Sequence, residues 1–398
     1  MSERIPKSWK VTSLGKSCEI LDSLRVPVNS EERSKRLGSY SYYGANGIQG
    51  FIDNYIFEGP SVLLAEDGGN FDEYSTRPIA QYVTGKYWVN NHAHVLRGTE
   101  SCQTKWVYYS LVHKNILKFI NGGTRAKLNQ SDLKEIPILV PPLPEQQKIA
   151  LILTSVDEVI EKTQSQLNKL EDLKKATMNE LLTRGIGHTE FKDSELGRIP
   201  KSWKIVSLEQ LCVLDSPITY GVLKPGSYIN GGVPLLQIND LESGSIKKNG
   251  LHRISEELDY EYRRSRVKPN DLVISLVGTI GQLAIIPNWL NGANIHRNLG
   301  RIRSNISRYI YQYLQSQKAT ASIGKISAGS SQSALNLSAL RDFLIVTPLK
   351  EEQEIIQDIL EAMDKNIQLS NHKLYQIKSL KKSLMQDLLT GKVRVTVN

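Results

Sequence analysis

The chain has 398 residues, 40% apolar and 23% charged, a balance that fits a soluble globular protein of two to three domains and excludes a disordered one. No apolar run reaches the roughly 18 residues of a membrane span, and Met-Ser-Glu-Arg-Ile-Pro-Lys7 lacks the apolar core of a signal peptide. Three cysteines give no disulfide framework and point to the reducing cytoplasm. The net charge of +9 is uneven: residues 1–140 carry +3, 141–185 carry −1, 186–346 carry +6 and 347–398 carry +1. A positive surplus on the two long segments permits a polyanionic partner there.

The first element, Ile5-Pro-Lys-Ser-Trp-Lys10, returns letter for letter as Ile199-Pro-Lys-Ser-Trp-Lys204. At the same offset of 194, Leu14 answers Leu208 and Cys18 answers Cys212. At an offset of 207, Lys174-Lys-Ala-Thr-Met-Asn-Glu-Leu-Leu-Thr183 answers Lys381-Lys-Ser-Leu-Met-Gln-Asp-Leu-Leu-Thr390. The chain is therefore two copies of one unit, and a pseudo-twofold molecule suits a ligand that is itself nearly twofold.

Residues 1–140 read as one mixed domain. Ser61–Ala65 and Ala93–Leu96 are strand-like, and a helix is expected over Thr104–Phe119. Its polar and aromatic loops supply Lys35, Arg36, Tyr40, Tyr42, Tyr43, Asn46, Asn90 and Asn91 as candidates for DNA contact. Arginine and lysine suit guanine edges and phosphates, while asparagine and glutamine suit adenine. Trp9 and Trp203 are expected to pack the domain entries.

Residues 141–185 read as a spacer helix. From Ile149 the apolar spacing alternates four and three through Leu153, Val156, Ile160, Thr163, Leu167, Leu170 and Leu173, the seam of a coiled coil. Pro144 suits its first turn and Gly185 its end. From Glu145 to Thr183 such a helix is roughly 58 Å long. Gly185–Gly197 then reads as a short polar linker.

Residues 186–346 form the second mixed domain. Strands are expected in Val233–Asn239, Asp271–Val277 and Gln282–Ile286, with Gly278-Thr-Ile-Gly281 a tight turn and a helix over Ser307–Gln317. Its candidates for DNA contact are Tyr220, Lys224, Lys247, Lys248, Arg263, Arg264, Arg266, His296, Arg297, Asn298, Ser331 and Gln332. Residues 347–398 repeat the helix, with Leu360, Met363, Ile367, Ser370, Leu374, Ile377 and Leu380 in the same register. The seams are expected to pair with each other, Thr163 and Ser370 fixing register.

The missing chemistry is informative. There is no Gly-x-x-x-x-Gly-Lys-Ser/Thr phosphate loop and no Asn/Asp-Pro-Pro-Tyr/Phe methyltransferase motif. His92-x-His94 has no third ligand at sensible spacing, so no metal is expected. Glu66-Asp67 and Glu256-Glu257 read as solvated loops. The chain offers no candidate catalytic residue, and the expectation is a non-catalytic protein.

In its combination and order of motifs, the chain resembles the specificity (S) subunits of type I restriction-modification systems along nearly its whole length. The residues that carry this are the two Ile-Pro-Lys-Ser-Trp-Lys copies; Leu128-Asn-Gln-Ser-Asp-Leu133 with Ile136-Pro-Ile-Leu-Val-Pro-Pro-Leu-Pro-Glu-Gln-Gln-Lys-Ile149; Leu335-Asn-Leu-Ser-Ala-Leu340 with Pro348-Leu-Lys-Glu-Glu-Gln353; and the closing Leu388-Leu-Thr-Gly-Lys392. The second lead departs, with Lys350-Glu351-Glu352 set against Pro144-Glu145-Gln146, which is expected to retune that copy's partner contacts. The resemblance implies two α/β (α+β) target recognition domains, each reading half of a split site in double-stranded DNA, joined by two long antiparallel helices. It further implies docking of two methyltransferase (M) subunits that use S-adenosylmethionine, and of restriction (R) subunits that use ATP and Mg. No cofactor is expected on this chain. A stand-alone DNA-binding regulator and a coiled-coil adaptor are the alternatives.

Overall fold

The computed structural model describes residues 5–122, 126–242, 244–329 and 334–396. The chain divides into two compact units, Met1–Gln164 with His372–Asn398, and Ser165–Asn371. Each takes one mixed domain together with portions of both long helices.

In the first unit, Lys10–Ser13 pairs antiparallel with Pro137–Val140, which delivers the chain to the long helix. The central sheet runs in the order Cys18–Ile20, Ala93–Gly98, Ser61–Ala65, Ala80–Val83, antiparallel throughout. Every residue of Ser61–Ala65 is buried because both faces of this strand are covered. Val62 and Leu64 join the core around Trp106, and Leu63 joins the cluster around Tyr87. A second sheet sets Tyr40–Gly44 antiparallel to Gly47–Ile52 and parallel to Lys86–Val89. The helix expected over Thr104–Phe119 ends at Leu111. A separate 3-10 turn, Leu117–Phe119, follows, its first amide bonded to the Asn115 side chain.

The second unit repeats this plan. Lys204–Ser207 pairs with Leu344–Thr347, and the sheet order is Thr219–Tyr220, Leu299–Ile302, Leu272–Ser275, Leu283–Ile285. Val233–Leu236 lies parallel to Asn294–Ile295, as Tyr40–Gly44 lies to Lys86–Val89. The Gly278–Gly281 turn joins two strands of the sheet, both glycines having positive φ. The helix expected over Ser307–Gln317 ends at Leu314, and a second helix, Gln317–Ala328, follows it. Ser316 is extended between them, and its hydroxyl accepts from the Ala319 amide as an N-cap. The 185–197 linker is more structured than its composition suggests, since Phe191–Lys192 pairs with Ile199–Pro200.

The long helices span Leu143–Thr183 and Lys350–Thr390, 41 residues each. No helix among the described residues is long and apolar enough to cross a membrane. In each unit the helix segments run antiparallel and share the domain core. Ile149, Leu153, Met385 and Leu388 pack with Trp106 in the first; Met178, Leu182, Ile356 and Leu360 pack with Tyr309 in the second. Leu153 and Leu360 are thus domain-core residues as well as seam residues. Thr163, Leu167 and Leu374 are buried, while Val156, Ile160, Leu170, Met363, Ile367, Ser370 and Ile377 are half-buried. The expected seam fails at one repeated position: Leu173 and Leu380 are 55% and 54% exposed. The buried stripe advances by four there, through Lys174 to Met178 and through Lys381 to Met385, because each lysine ends on an aspartate of the other helix.

Candidate nucleic-acid interface

The repeated motif has a structural role at the start of each helix. Trp9 Nε1 donates to Glu145 Oε2 at 2.9 Å, and Trp203 Nε1 donates to Glu352 Oε2 at 2.8 Å. Glu145 and Glu352 are 207 apart, so they are true repeats. This corrects the expected alignment: Gln146 answers Gln353, and each glutamine amide bonds the carbonyl of the proline five residues before it, Pro141 and Pro348. The third partner differs between copies. Glu145 holds Arg394 in a double hydrogen bond, whereas Glu352 faces His188 Nε2 and accepts from the Ile186 amide. Both tryptophans serve the clasp, as expected of packing residues.

A second repeated link lies further along. Lys381 Nζ is 2.5 Å from Asp157, and Lys174 Nζ is 2.5 Å from Asp364. Each aspartate also binds its own domain: Tyr109 donates to Asp157 at 2.8 Å, and the Gln312 amide donates to Asp364 at 2.9 Å. Each domain is thereby tied to both helix segments of its unit.

In the first domain the candidate residues separate into core and surface. Tyr42 is 1% exposed, and its hydroxyl bonds the Val28 amide and carbonyl, so it is a core residue unable to reach a base. Asn90 is buried, donating to Gln49 and accepting from the His92 amide, and is likewise structural. Tyr43 packs edge-on to Tyr87, and Tyr40 is tilted against Tyr55. Arg36 makes a bidentate contact with Asp53 and lies over the Trp88 ring; Lys35 pairs with Glu31 on the surface. Asn46 bridges Gly68 and Asn70, and Asn91 is exposed.

Beneath these loops lies a buried charge network. Asp22, Glu66 and His94 come within 4.8 Å of one another, a donor set that sequence spacing does not reveal. Arg25 sits among them, bonded to Glu66 at 2.9 Å and to three backbone carbonyls, of Asp22, Asn91 and Ala93. His94 Nδ1 is 2.6 Å from Asp22 Oδ2 and Nε2 is 2.8 Å from the Leu128 carbonyl. Both ring nitrogens thus already face oxygen partners. A cation site would need those lone pairs free, so the set fits a structural salt-bridge network. Burial opposes the Asp22 charge. The His94 hydrogen bond and charge, the Val95 amide and the Gln130 amide outweigh burial and hold this carboxyl below its ordinary range. Glu66, expected in a solvated loop, is instead part of this network.

In the second domain the structure brings Tyr220, Arg263, Arg264 and Arg266 to one cleft of about 520 Å³. Sequence reasoning missed three further arginines there, Arg301, Arg303 and Arg341. Arg266 is held by Asp259, and Arg303 makes two bonds to Asp271. Lys224, Lys247, Lys248 and Arg297 are exposed elsewhere on the domain. His296 and Asn298 are half-buried; burial first, then Arg297 and His252, push the His296 imidazole down. Ser331 and Gln332 lie outside the described residues.

Residues 6–172 and 200–379 each match the family described as type I restriction modification DNA specificity domain. Among known proteins, the Haemophilus influenzae specificity subunit S.HindORF215P is 30% identical over 369 residues, covering 90% of this chain and 89% of its own length. The MjaVIII specificity subunit of Methanocaldococcus jannaschii is 25% identical over 98% of this chain and 94% of its own. In fold, the chain is similar to the S subunit of a type I restriction-modification system from M. genitalium, with a TM-score of 0.66 at 14% identity over 100% of this chain and 98% of that one.

Proposed function

Since the chain belongs to the type I restriction modification DNA specificity family, matched once by each half, we propose that each of its domains reads one half of a split site in double-stranded DNA. The observation that carries this reading is the duplicated clasp. Trp9–Glu145 with Asp157–Lys381, and Trp203–Glu352 with Lys174–Asp364, seat two separate domains on the same pair of helices by the same bonds. Two like modules on a common support are what a two-part site requires.

The long helices dock methyltransferase (M) subunits in this reading. Apolar side chains exposed on otherwise polar helices, such as Leu151 and Tyr375 in the first unit and Leu173 and Leu369 in the second, support it. A chain from a structure on complex assembly of the type I R-M system is similar over 98% of this one, with a TM-score of 0.53. The chain itself performs recognition only. Methyl transfer from S-adenosylmethionine would belong to the M subunits, and ATP- and Mg-dependent cleavage to restriction (R) subunits.

The test measures DNA affinity of the chain, alone and co-expressed with its methyltransferase subunit, across a salt series. Salt-dependent, sequence-selective binding that sharpens in the assembled complex is expected. Tight selective binding that needs no partner would favour a stand-alone regulator, and absence of DNA binding in the complex would favour an adaptor. Exchange of residues 1–140 for another such domain should change one half-site; a change in both would refute modular reading.

A further inference from the structure

We infer that the arginine-lined cleft of the second domain is a phosphate clamp that holds the DNA backbone, setting this domain's register without reading sequence. The inference rests on the DNA-reading function proposed above. Seven cationic side chains line the cleft, against one carboxylate, Asp215. Three of the seven are committed to acids: Arg266 to Asp259, Arg303 to Asp271 and Arg341 to Glu209. Arg263, Arg264, Lys268 and Arg301 have no carboxylate at ion-pair distance among the described residues. Four uncompensated charges exceed what one small phosphate would neutralise and match a run of backbone phosphates.

Arg301 is the strongest sign of a missing anion. It is 3% exposed, its Nη2 donates to the Pro217 carbonyl at 3.1 Å, and its buried Nε has no hydrogen-bond partner. Asp271, already paired with Arg303, offsets the Arg301 charge only from a distance. A buried guanidinium without a paired carboxylate is costly, and an entering anion relieves that cost. Burial first, then neighbouring Arg303, push Arg301 below the ordinary arginine range. Both described non-glycine residues with left-handed backbone flank this place: Asp215 in the cleft wall, and Asn270 two residues from Lys268. Aspartate and asparagine take this conformation more readily than other non-glycine residues, and here they shape turns beside the cleft. The first domain has no arginine at the position that matches Arg301. Arg301 pairs across the sheet with Val273, and the matching pair in the first domain is Val95 with Leu63.

The experiment uses the full chain and a duplex carrying its site, with affinity measured against salt. Arg263→Gln combined with Arg264→Gln should lower the slope of log K against log salt by about 1–2 and leave the preferred sequence unchanged. Lys318→Gln with Lys325→Gln, exposed lysines of the same domain outside the cleft, should leave the slope unaltered. Arg301→Met should move two readouts in opposite directions, raising the melting temperature by removing an unpaired buried charge while weakening DNA binding. An unchanged slope in the arginine double variant, with normal binding by the parent, overturns the clamp alone. Loss of both stability and affinity in Arg301→Met assigns that residue to the fold and also overturns it. If the parent shows no salt-dependent DNA binding either alone or with its methyltransferase subunit, the function proposed above fails with it. Inorganic phosphate separates the two sources of the ligand. A thermal shift by phosphate that duplex DNA does not compete away would identify a free-anion site instead.

Discussion

Replacing Asp157 by Asn tests whether the lysine–aspartate links hold each domain to its helices. Asp157 accepts from Lys381 at 2.5 Å and from Tyr109 at 2.8 Å. The side chains of Lys381 and Asp157 are 17% and 25% exposed, so the pair is mostly but not wholly removed from water. At an effective dielectric constant of about 20 the Coulomb attraction at this distance is roughly 6–7 kcal/mol, most of which desolvation cancels. Breaking an exposed pair costs about 0–1 kcal/mol and breaking a buried one about 3–5. With the exposure discounted, Asp157→Asn should cost about 2 kcal/mol. Combining it with Lys381→Met should recover part of that loss, giving a coupling energy of about 1–2 kcal/mol. Because two units make a single global unfolding energy ill-defined, the suitable assay is native-state hydrogen exchange of amides in residues 154–160 and 378–388. Asp364→Asn, with Lys174 and Gln312 in the matching places, should behave alike in the second unit. A coupling energy indistinguishable from zero would refute the link.

Trp203→Phe keeps an aromatic ring but removes the hydrogen bond to the Glu352 carboxylate, and should cost about 1.5–3 kcal/mol in urea unfolding of the second unit. Gly185 has φ 65°, and an added Cβ would fall 2.4 Å from Glu352 and 2.6 Å from Trp203. Gly185→Ala should therefore destabilise by about 1–2 kcal/mol, measured by the same unfolding. Asp22 titrates below the ordinary aspartate value of about 3.9. Its contribution to stability is therefore complete above that pH and is lost as pH falls through the folded value. The gap in urea midpoint between the parent and Asp22→Asn should be constant from about pH 7 to 5 and close below about pH 4; a gap that widens in acid would contradict the network.

The long helices were legible because their apolar period is local and repeated, and the two domains because the Ile-Pro-Lys-Ser-Trp-Lys motif recurs. Legibility stopped where partners are distant. Nothing near Trp9 points to Glu145, and nothing near Lys381 marks it as a seam residue, since a lysine reads as solvated until its aspartate is found. The same blindness placed Tyr42 and Asn90 among base readers: their residue types suit DNA, but their polar atoms are spent on Val28, Gln49 and His92. The Arg263-Arg-Ser-Arg266 cluster was visible as a charge run. Arg301 and Arg303 were not, although two arginines flanking Ile302 at the end of a buried strand carry a faint signal of alternation.

The division of the chain has a consequence for how it is made. The second unit is a continuous stretch, residues 165–371, inserted within the first. The first unit needs Met385 and Leu388 to cover Ile149 and Leu153, and Arg394 to complete the Glu145 clasp. At about 5–20 residues per second, a ribosome takes on the order of 10–40 s to synthesise the inserted stretch. For that interval the first domain is held with an apolar flank open to water and to chaperones. The second unit can close while synthesis continues; the domain that emerges first is therefore the one that finishes folding last.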